Sequence, residues 1–156
     1  FSEEAEMEIS REYRSGRSFT LVLADVDNFK QFNDLHGHAC GDHVLRRVAH
    51  ILQQSIRDVD RVARWGGEEF ILMLPETEDG GAAILAEKLR AAIENNLFEF
   101  GEQKLGITMT FGIASHRRGE SLECTIARAD TALYHGKQGG RNKVMIGAYK
   151  GLTLVR

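Results

Sequence analysis

The stretch RVARWGGEEFILML, residues 61–74, decides how the rest of the chain is arranged. Two β-like runs flank Gly66 and Gly67, and this pattern predicts a β-hairpin in which glycine supplies the positive φ of a tight primed turn. Glu68 and Glu69, next to the turn, would on this pattern alone be solvated charges. The stretch therefore predicts two antiparallel neighbouring strands near the middle of the chain.

The rest of the chain alternates apolar strands with amphipathic helices. Helices are predicted over residues 2–15, 29–35, 44–56, 82–93 and 122–133, and further strands over residues 19–24, 104–115 and 142–146. After the first helix the order is β-α-α-β-β-α-β-α-β. A hairpin between crossover helices favours an α+β fold, with a mainly antiparallel central sheet and helices on one face.

Composition limits the class of protein. The chain has 156 residues, 42% of them hydrophobic and 28% charged, and a formal net charge of -3, so we expect one globular unit and neither nucleic-acid nor membrane binding by this segment. There is no apolar run of transmembrane length, and Cys40 and Cys124 lack CxxC spacing. We expect a cytoplasmic location. Because the chain begins at Phe1, we also expect a longer protein whose preceding part could hold a sensor or a membrane anchor.

The first strand ends in carboxylates, within DVDNFK. Strand alternation places Asp25 and Asp27 on the same side. A buried strand that ends in two carboxylates is costly unless they are exposed, paired or bound to a metal. Magnesium takes oxygen ligands, often one or two carboxylates together with substrate phosphates. Asp25, the carbonyl of Val26 and Glu68 could form such a site.

A zinc site is the competing interpretation of a second cluster. His36, His38, Cys40 and His43 lie within a few residues, but HxHxCxxH lacks the spacing of structural zinc sites. The glycines between them predict a loop entering a helix. We therefore expect no zinc, and we interpret His38 as a loop residue within reach of a ligand.

Cations for a phosphate group occur in YHGKQGGRNK, residues 134–143. No GxxxxGK[ST] loop is present. Lys137 and Arg141 flank a Gly-Gly break and could converge on a polyphosphate. The alternative, that the two cations stabilise the C-terminal end of a helix dipole, is equally good on these residues alone.

Three separated motifs together resemble the GGDEF domain family, the catalytic unit of diguanylate cyclases. They are DVDNFKQFNDLHGHACGD, GGEEF and GKQGGRN, and the resemblance runs from about residue 17 to residue 145. Two features depart from the family pattern: the LTxLxNR segment that usually precedes the first helix is absent, and Trp65 replaces a tyrosine or phenylalanine. The resemblance implies an N-terminal helix or linker over residues 1–16 and a catalytic domain over residues 17–156.

The resemblance implies a fold similar to class III nucleotide cyclases and polymerase palms, with a ferredoxin-like core. It also implies condensation of two GTP into cyclic di-GMP with release of two pyrophosphates. Two Mg²⁺ or Mn²⁺ per active site are implied as cofactors. Since each domain would bind one GTP, a second copy is implied as partner in a two-fold homodimer. The alternative is a non-catalytic receptor module that binds cyclic di-GMP or GTP. A purely structural module would make every motif a coincidence.

The resemblance also implies roles for individual residues. The metal ligands would be Asp25, Val26 and Glu68, the catalytic residues Glu68, Glu69 and Lys30, and the substrate-binding residues Asn33, His38, Asp42, Gly66, Gly67, Lys137 and Arg141. Asn33 and Asp42 would bind the guanine, with His38 lining the same pocket, while Lys137 and Arg141 would hold the phosphates.

An inhibitory product site is implied by Arg57-Asp58-Val59-Asp60, which has the RxxD form at the spacing that the family uses. We expect Arg57 and Asp60 to face outward together. Lys88, on the neighbouring domain, is a weaker candidate to complete the site. On residues alone, a solvated arginine after a helix is the default interpretation.

Overall fold

The computed structural model describes residues 1–148 and 151–155. The helices are α1 Ser2–Ser15, α2 Phe29–His36, α3 His38–Gln54, α4 Asp79–Asn95 and α5 Leu122–Gln138. The strands are β1 Phe19–Val26, β2 Arg61–Arg64, β3 Glu69–Pro75, β4 Phe98–Phe100, β5 Gln103–Leu105, β6 Met109–Ser115, β7 Val144–Ala148 and β8 Gly151–Val155. Within the described ranges, no helix has both the length and the apolar character needed to cross a membrane.

The central sheet has six strands in the order β2-β3-β1-β6-β7-β8. β6 and β7 run parallel, whereas the other neighbouring strands of this sheet are antiparallel. β4 and β5 pair separately as a small hairpin. The predicted α+β fold with a mainly antiparallel sheet is therefore confirmed, and β1 lies in the middle of it.

Helices cover both faces of the sheet, so the prediction that they lie on one face is wrong. Every residue of β1 is buried. On one face Val22 and Ala24 join a core with α3 and α4, and on the other Leu21 and Leu23 pack against residues of α1 and α5. Burial on both faces explains the continuous apolar run of β1, because such a strand lacks the alternation of apolar and polar residues found in a half-exposed strand.

Two further predictions about the elements are wrong. The single strand predicted over residues 104–115 is divided into β5 and β6, and the hairpin of β4 with β5 was not predicted. The β-branched alternation continues across the break, so periodicity does not show where the pairing partner changes. The helix predicted to start at residue 44 starts at His38, directly after Gly37, which has a φ of 88°. His38 is therefore a helical residue and not a loop residue.

Candidate active site

The hairpin between β2 and β3 has a longer loop than predicted. Trp65 N–H donates to the Glu69 carbonyl at 2.8 Å, and the Arg64 guanidinium donates to the Gly67 carbonyl at 2.5 Å. Neither Gly66 nor Gly67 has a positive φ, so the prediction that they supply one is wrong. The turn is held by these hydrogen bonds to the loop backbone, and it does not need glycines in the left-handed conformation. A Cβ on Gly67 would meet no heavy atom within 4 Å, so its backbone is open to a ligand.

The end of β1 lies directly beside this loop. Asp25 is paired in register with Glu69, and Val26 N–H donates to the Glu68 carbonyl at 3.2 Å. Asp25 is buried, with 6% of its surface exposed. Glu68 and Glu69 are half-buried. Antiparallel pairing of β1 with β3 thus brings three carboxylates to one edge of the sheet.

Lys137 reaches the same place from the last turn of α5. Its Nζ lies 2.8 Å from Asp25 Oδ1. The contact is an ion pair between the ammonium and this buried carboxylate oxygen. Arg141, in the loop after α5, is exposed, and its side chain makes no hydrogen bond or ion pair within residues 1–148 and 151–155. The structure therefore brings Lys137, but not Arg141, into contact with the carboxylates.

A cavity of about 520 Å³ opens next to the hairpin. It is bounded by α2 and the start of α3 on one side and by the hairpin loop on the other. Its lining includes six of the predicted site residues, namely Lys30, Asn33, His38, Asp42, Gly67 and Glu68. The structure thus brings the residues predicted to bind the base, together with Lys30 and Glu68, to one space, whereas Lys137 and Arg141, predicted to hold the phosphates, are not part of its lining.

Gly41 packs against the predicted site residue Asn33, a contact that was not predicted from the sequence. It lies within α3, where a Cβ would overlap Asn33 Oδ1 and come within 3.0 Å of Phe29 Cζ. The same Asn33 Oδ1 is buried without a hydrogen-bond partner, which is uncommon for a buried polar atom. Gly41 therefore leaves room for the Asn33 amide at the cavity wall. Gly41 was predicted to lie in a loop, and only the earlier start of α3 at His38 puts this glycine inside a helix.

The RxxD segment lies elsewhere. Arg57 donates to both oxygens of Asp60, at 3.1 Å from Nε and 2.7 Å from Nη2, and Nη2 also donates to the Pro75 carbonyl. Asp60 is 4% exposed, so the prediction that both side chains face outward is wrong for Asp60. Because Pro75 ends β3 and Glu69 begins it, this segment lies roughly 20 Å from the carboxylates.

The family model described as diguanylate cyclase, GGDEF domain, matches residues 1–143 of the chain. The chain belongs to the GGDEF domain family. It is 41% identical to the diguanylate cyclase DgcP of Pseudomonas aeruginosa over 93% of the chain and 22% of that protein. It is 40% identical to diguanylate cyclase A of Treponema denticola over 83% of the chain and 35% of that protein. The chain thus spans about a third or less of the length of these relatives.

Solved structures of GGDEF domains have the same fold. The GGDEF domain of DgcB from Caulobacter crescentus, in complex with c-di-GMP, superposes with a TM-score of 0.90 at 33% identity, covering 94% of the chain and 88% of that structure. The active GGEEF domain of a Vibrio cholerae diguanylate cyclase gives a TM-score of 0.85 at 35% identity, covering 91% and 90%. The expected similarity to nucleotide cyclases and polymerase palms is confirmed by this fold.

Electrostatics at the carboxylate edge of this GGDEF domain suit a bound cation. Burial raises the pKa of Asp25 from 3.8 to about 6, Lys137 lowers it in part, and the charges of Glu68 and Glu69 raise it further. One ammonium thus faces three carboxylates, and the buried Asp25 Oδ1 has Lys137 as its polar neighbour, a position that a metal cation could take. Both observations fit a divalent cation at this edge.

The donor set fits magnesium or manganese better than a zinc cage. Among the residues described here, no group of three or more His, Cys, Asp or Glu side chains could hold a metal ion alone. Magnesium sites commonly use one or two carboxylates and complete their shell with water and substrate phosphates. In the histidine- and cysteine-rich segment, for which we expect no zinc, Cys40 is in the core, His36 packs on Phe32, and His43 packs on Phe100.

The pKa of Asp25 predicts a pH dependence of stability in metal-free buffer. Because its pKa is higher in the folded GGDEF domain, Asp25 contributes stability that is fully present below pH 3.8 and lost as the pH rises through about 6. Relative to Asp25→Asn, the wild type should lose about 1–2 kcal/mol over this window, after a reduction for screening of the carboxylate charge by solvent at the end of the strand. Denaturant unfolding of both proteins at several pH values in EDTA measures the difference. Parallel stability curves would contradict the prediction.

Proposed function

We propose that this GGDEF domain is a diguanylate cyclase that condenses two GTP into cyclic di-GMP and releases two pyrophosphates. The observation that carries the proposal is the convergence of Asp25, Glu68, Glu69 and Lys137 beside a cavity lined by Lys30 and the predicted guanine-binding residues. The names of the curated relatives support the same activity.

In the proposed site, Asp25, the Val26 carbonyl and Glu68 would hold two Mg²⁺ or Mn²⁺ ions together with the substrate phosphates. When bound, these ions lower the pKa of the attacking 3′-hydroxyl and neutralise charge on the leaving pyrophosphate. Lys30 lies at the cavity wall, where its ammonium can stabilise the triphosphate, and Lys137 binds phosphate in exchange for its ion pair with Asp25.

Each step forms one phosphodiester bond. The 3′-oxygen of one GTP attacks the α-phosphorus of the other, the bond between the α-phosphorus and the bridging oxygen to the β-phosphate breaks, and pyrophosphate leaves with that oxygen. The hydroxyl proton passes to a carboxylate, for which Glu68 and Glu69 are the candidates, and then to water. Because the product has two equivalent bonds, two domains must face each other with two-fold symmetry.

Guanine is selected by the polar wall of the cavity. Asp42 is exposed at this wall and can accept hydrogen bonds from guanine N1–H and N2–H₂, whereas adenine has no such pair of donors. Asn33 lines the same cavity, and its amide is the second polar group proposed to bind the base edge. His38, on the first turn of α3, lines the same cavity.

Asp42→Ser should therefore reduce the preference for GTP over ATP. Loss of one charged hydrogen bond of about 1.5–3 kcal/mol corresponds to roughly a 10-fold or larger fall in discrimination. The measurement is kcat/KM for GTP and for ATP in the wild type and the variant, with Asp58→Ser, outside the cavity lining, as the control. Unchanged discrimination would refute the assigned role of Asp42.

The activity itself is tested on the full-length protein with GTP and Mg²⁺. Cyclic di-GMP and pyrophosphate should form in a ratio of one to two. A receptor module, the rival function, would bind cyclic di-GMP or GTP in equilibrium dialysis without forming either product. The Glu68→Gln protein serves as the background control.

Product inhibition through the RxxD segment is part of the proposal. Arg57 is 55% exposed at its side chain, and a guanidinium can donate twice to guanine O6 and N7. Asp60, which is buried, orients Arg57 through its two hydrogen bonds. Arg57 borders a small cavity with Gly81 and Leu85 of α4, and the exposed Lys88 on the same helix remains a weaker candidate on the neighbouring domain.

Arg57→Ala should abolish inhibition by cyclic di-GMP without lowering the uninhibited rate, since the segment is far from the carboxylates. Calorimetric titration of the product is run beside a rate assay in which pyrophosphatase removes pyrophosphate. Arg46→Ala, an exposed arginine on α3, is the control. The proposal fails if the wild type binds no product outside the active site, or if Arg57→Ala remains equally inhibited.

A further inference from the structure

Asp27, the second carboxylate of the DVD sequence, has partners unlike those of Asp25. It is 6% exposed, and its carboxylate accepts hydrogen bonds from Thr110 Oγ1 at 2.6 Å, Thr108 Oγ1 at 2.7 Å and Asn142 N–H at 3.0 Å. Both oxygens of Asp27 are thus occupied by donors of the protein. Asp25, two residues earlier, has an oxygen without a hydrogen-bond partner.

The loop that Asp27 contacts has an unusual backbone. Arg141 has a φ of 65° and Asn142 a φ of 48°, so two consecutive non-glycine residues are left-handed. Such conformations persist only where the surroundings hold them. Arg141 N–H donates to the Gly136 carbonyl at 3.0 Å, Asn142 N–H donates to Asp27, and Arg90 donates to Asn142 Oδ1 at 2.8 Å. Thr110 Oγ1 also accepts from Asn142 N–H, at 3.1 Å, and Glu94 accepts from Asn142 Nδ2. Asp27 is therefore one of several anchors of this loop.

We propose that Asp27 is a positioning residue for Arg141. Asp27 follows the last residue of β1 and is two residues from Asp25 in the sequence. By accepting a hydrogen bond from Asn142 N–H, Asp27 holds the neighbouring Arg141 in its left-handed backbone conformation. The exposed Arg141 side chain, with no partner in the part of the chain that the structure describes, is then directed to the triphosphate. The positions of Arg141, which binds phosphate, and of Asp25, which binds the metal, thereby both depend on the end of β1. This inference rests on the proposed function, in which Arg141 binds phosphate.

Two other roles would leave different signs. If Asp27 only joined β1 to β6 through the two threonines, its loss would lower stability without a selective effect on phosphate binding. If Asp27 were a metal ligand, its loss would raise the Mn²⁺ concentration needed for half-maximal activity. A positioning role predicts weaker binding of nucleotides with phosphates and unchanged binding of guanosine.

The test is a double-mutant cycle on GTP binding with Asp27→Asn and Arg141→Gln. Asparagine keeps the shape but places an NH₂ group against the donors of Thr108, Thr110 or Asn142. Each single variant should weaken GTP binding about 10-fold, the effect of losing one charged hydrogen bond, and the double variant should bind no more weakly than either single one. Guanosine affinity and the Mn²⁺ midpoint should stay within about twofold of the wild type, because no base or metal contact changes. Additive effects of roughly 100-fold in the double variant, or a shifted Mn²⁺ midpoint, would overturn the proposal.

Thr108→Val is the matched control, since it removes one donor to Asp27 and leaves the Asn142 contact in place. It should lower stability as Asp27→Asn does and leave GTP affinity unchanged. Amide hydrogen exchange gives a readout that needs no nucleotide: exchange at Asn142 should accelerate in Asp27→Asn and not in Thr108→Val. Equal exchange at Asn142 in all three proteins would overturn the proposal even if no cyclic di-GMP is formed, so its failure is distinct from failure of the proposed function.

If Asp27→Asn does not fold, Asn142→Val replaces it in the cycle. A β-branched residue at a φ of 48° is strained, so the loop should lose the Arg141 geometry while Asp27 remains. Non-additivity with Arg141→Gln supports the proposal, and additivity overturns it.

Discussion

Glu68→Gln is expected to lower the formation of cyclic di-GMP by roughly 10³-fold, which corresponds to about 4 kcal/mol of transition-state stabilisation. Glutamine has the shape of glutamate but offers a weaker, uncharged ligand to a divalent cation, and it cannot accept the proton of the 3′-hydroxyl. The hairpin should keep its position, because Val26 N–H bonds the backbone carbonyl of residue 68 and not its side chain.

The measurement is the release of pyrophosphate at saturating GTP and Mn²⁺, together with the midpoint of thermal unfolding. Glu99→Gln, an exposed glutamate of β4, is the control and should behave as the wild type. Binding of GTP to Glu68→Gln should survive in part through Asn33 and Asp42. Turnover at the wild-type rate in a folded Glu68→Gln protein would refute Glu68 as a metal ligand and as the base.

Gly112→Ala is expected to have the largest effect on stability. It should lower the free energy of unfolding by about 3 kcal/mol or more, because backbone atoms, unlike a flexible side chain, cannot move aside for the added methyl group. Gly112 lies in β6, where α5 crosses closely. A Cβ at this position would overlap the Ala129 carbonyl oxygen and lie 2.5 Å from Leu133 N. Both are backbone atoms of α5, so the helix itself would have to move away from the sheet.

Gly80→Ala is the matched control, since it makes the same change in the first turn of α4 with no heavy atom within 4 Å of the new Cβ. It should stabilise by roughly 0.5–1 kcal/mol because alanine favours helix. Denaturant unfolding of both variants measures the contrast. Because α5 also carries Lys137, a folded Gly112→Ala protein should bind GTP more weakly than the wild type. Equal stability of Gly112→Ala and wild type would show that α5 does not pack as described.

The candidate site was largely predictable because its residues come from short motifs at the ends of predictable elements. An apolar run predicts β1 and therefore the position of Asp25 at its end. Alternation on both sides of Gly66-Gly67 predicts the antiparallel pair that brings Glu68 to the same edge. Both inferences use local periodicity, which the residues of a segment determine among themselves.

The parts that were mispredicted depend on contacts between distant segments. Asp60 is buried because Arg57 bridges it to the end of β3, and nothing within RDVD indicates that burial. The glycines of the hairpin loop keep ordinary φ angles because Arg64 and the loop backbone hold the turn. The strand predicted over residues 104–115 breaks where its pairing partner changes, which no local pattern records.

By itself, the sequence determined most of the elements, the mainly antiparallel sheet and the family, since hydrophobic period and motif spacing are properties of neighbouring residues. Only the tertiary structure decided that helices cover both faces, that Asp27 anchors Asn142 while Asp25 pairs with Lys137, and that Gly112 and Gly41 are sites of close approach. These are distances between atoms far apart in the chain. These distances are determined by close packing of the interior, which depends on all elements of the folded domain together.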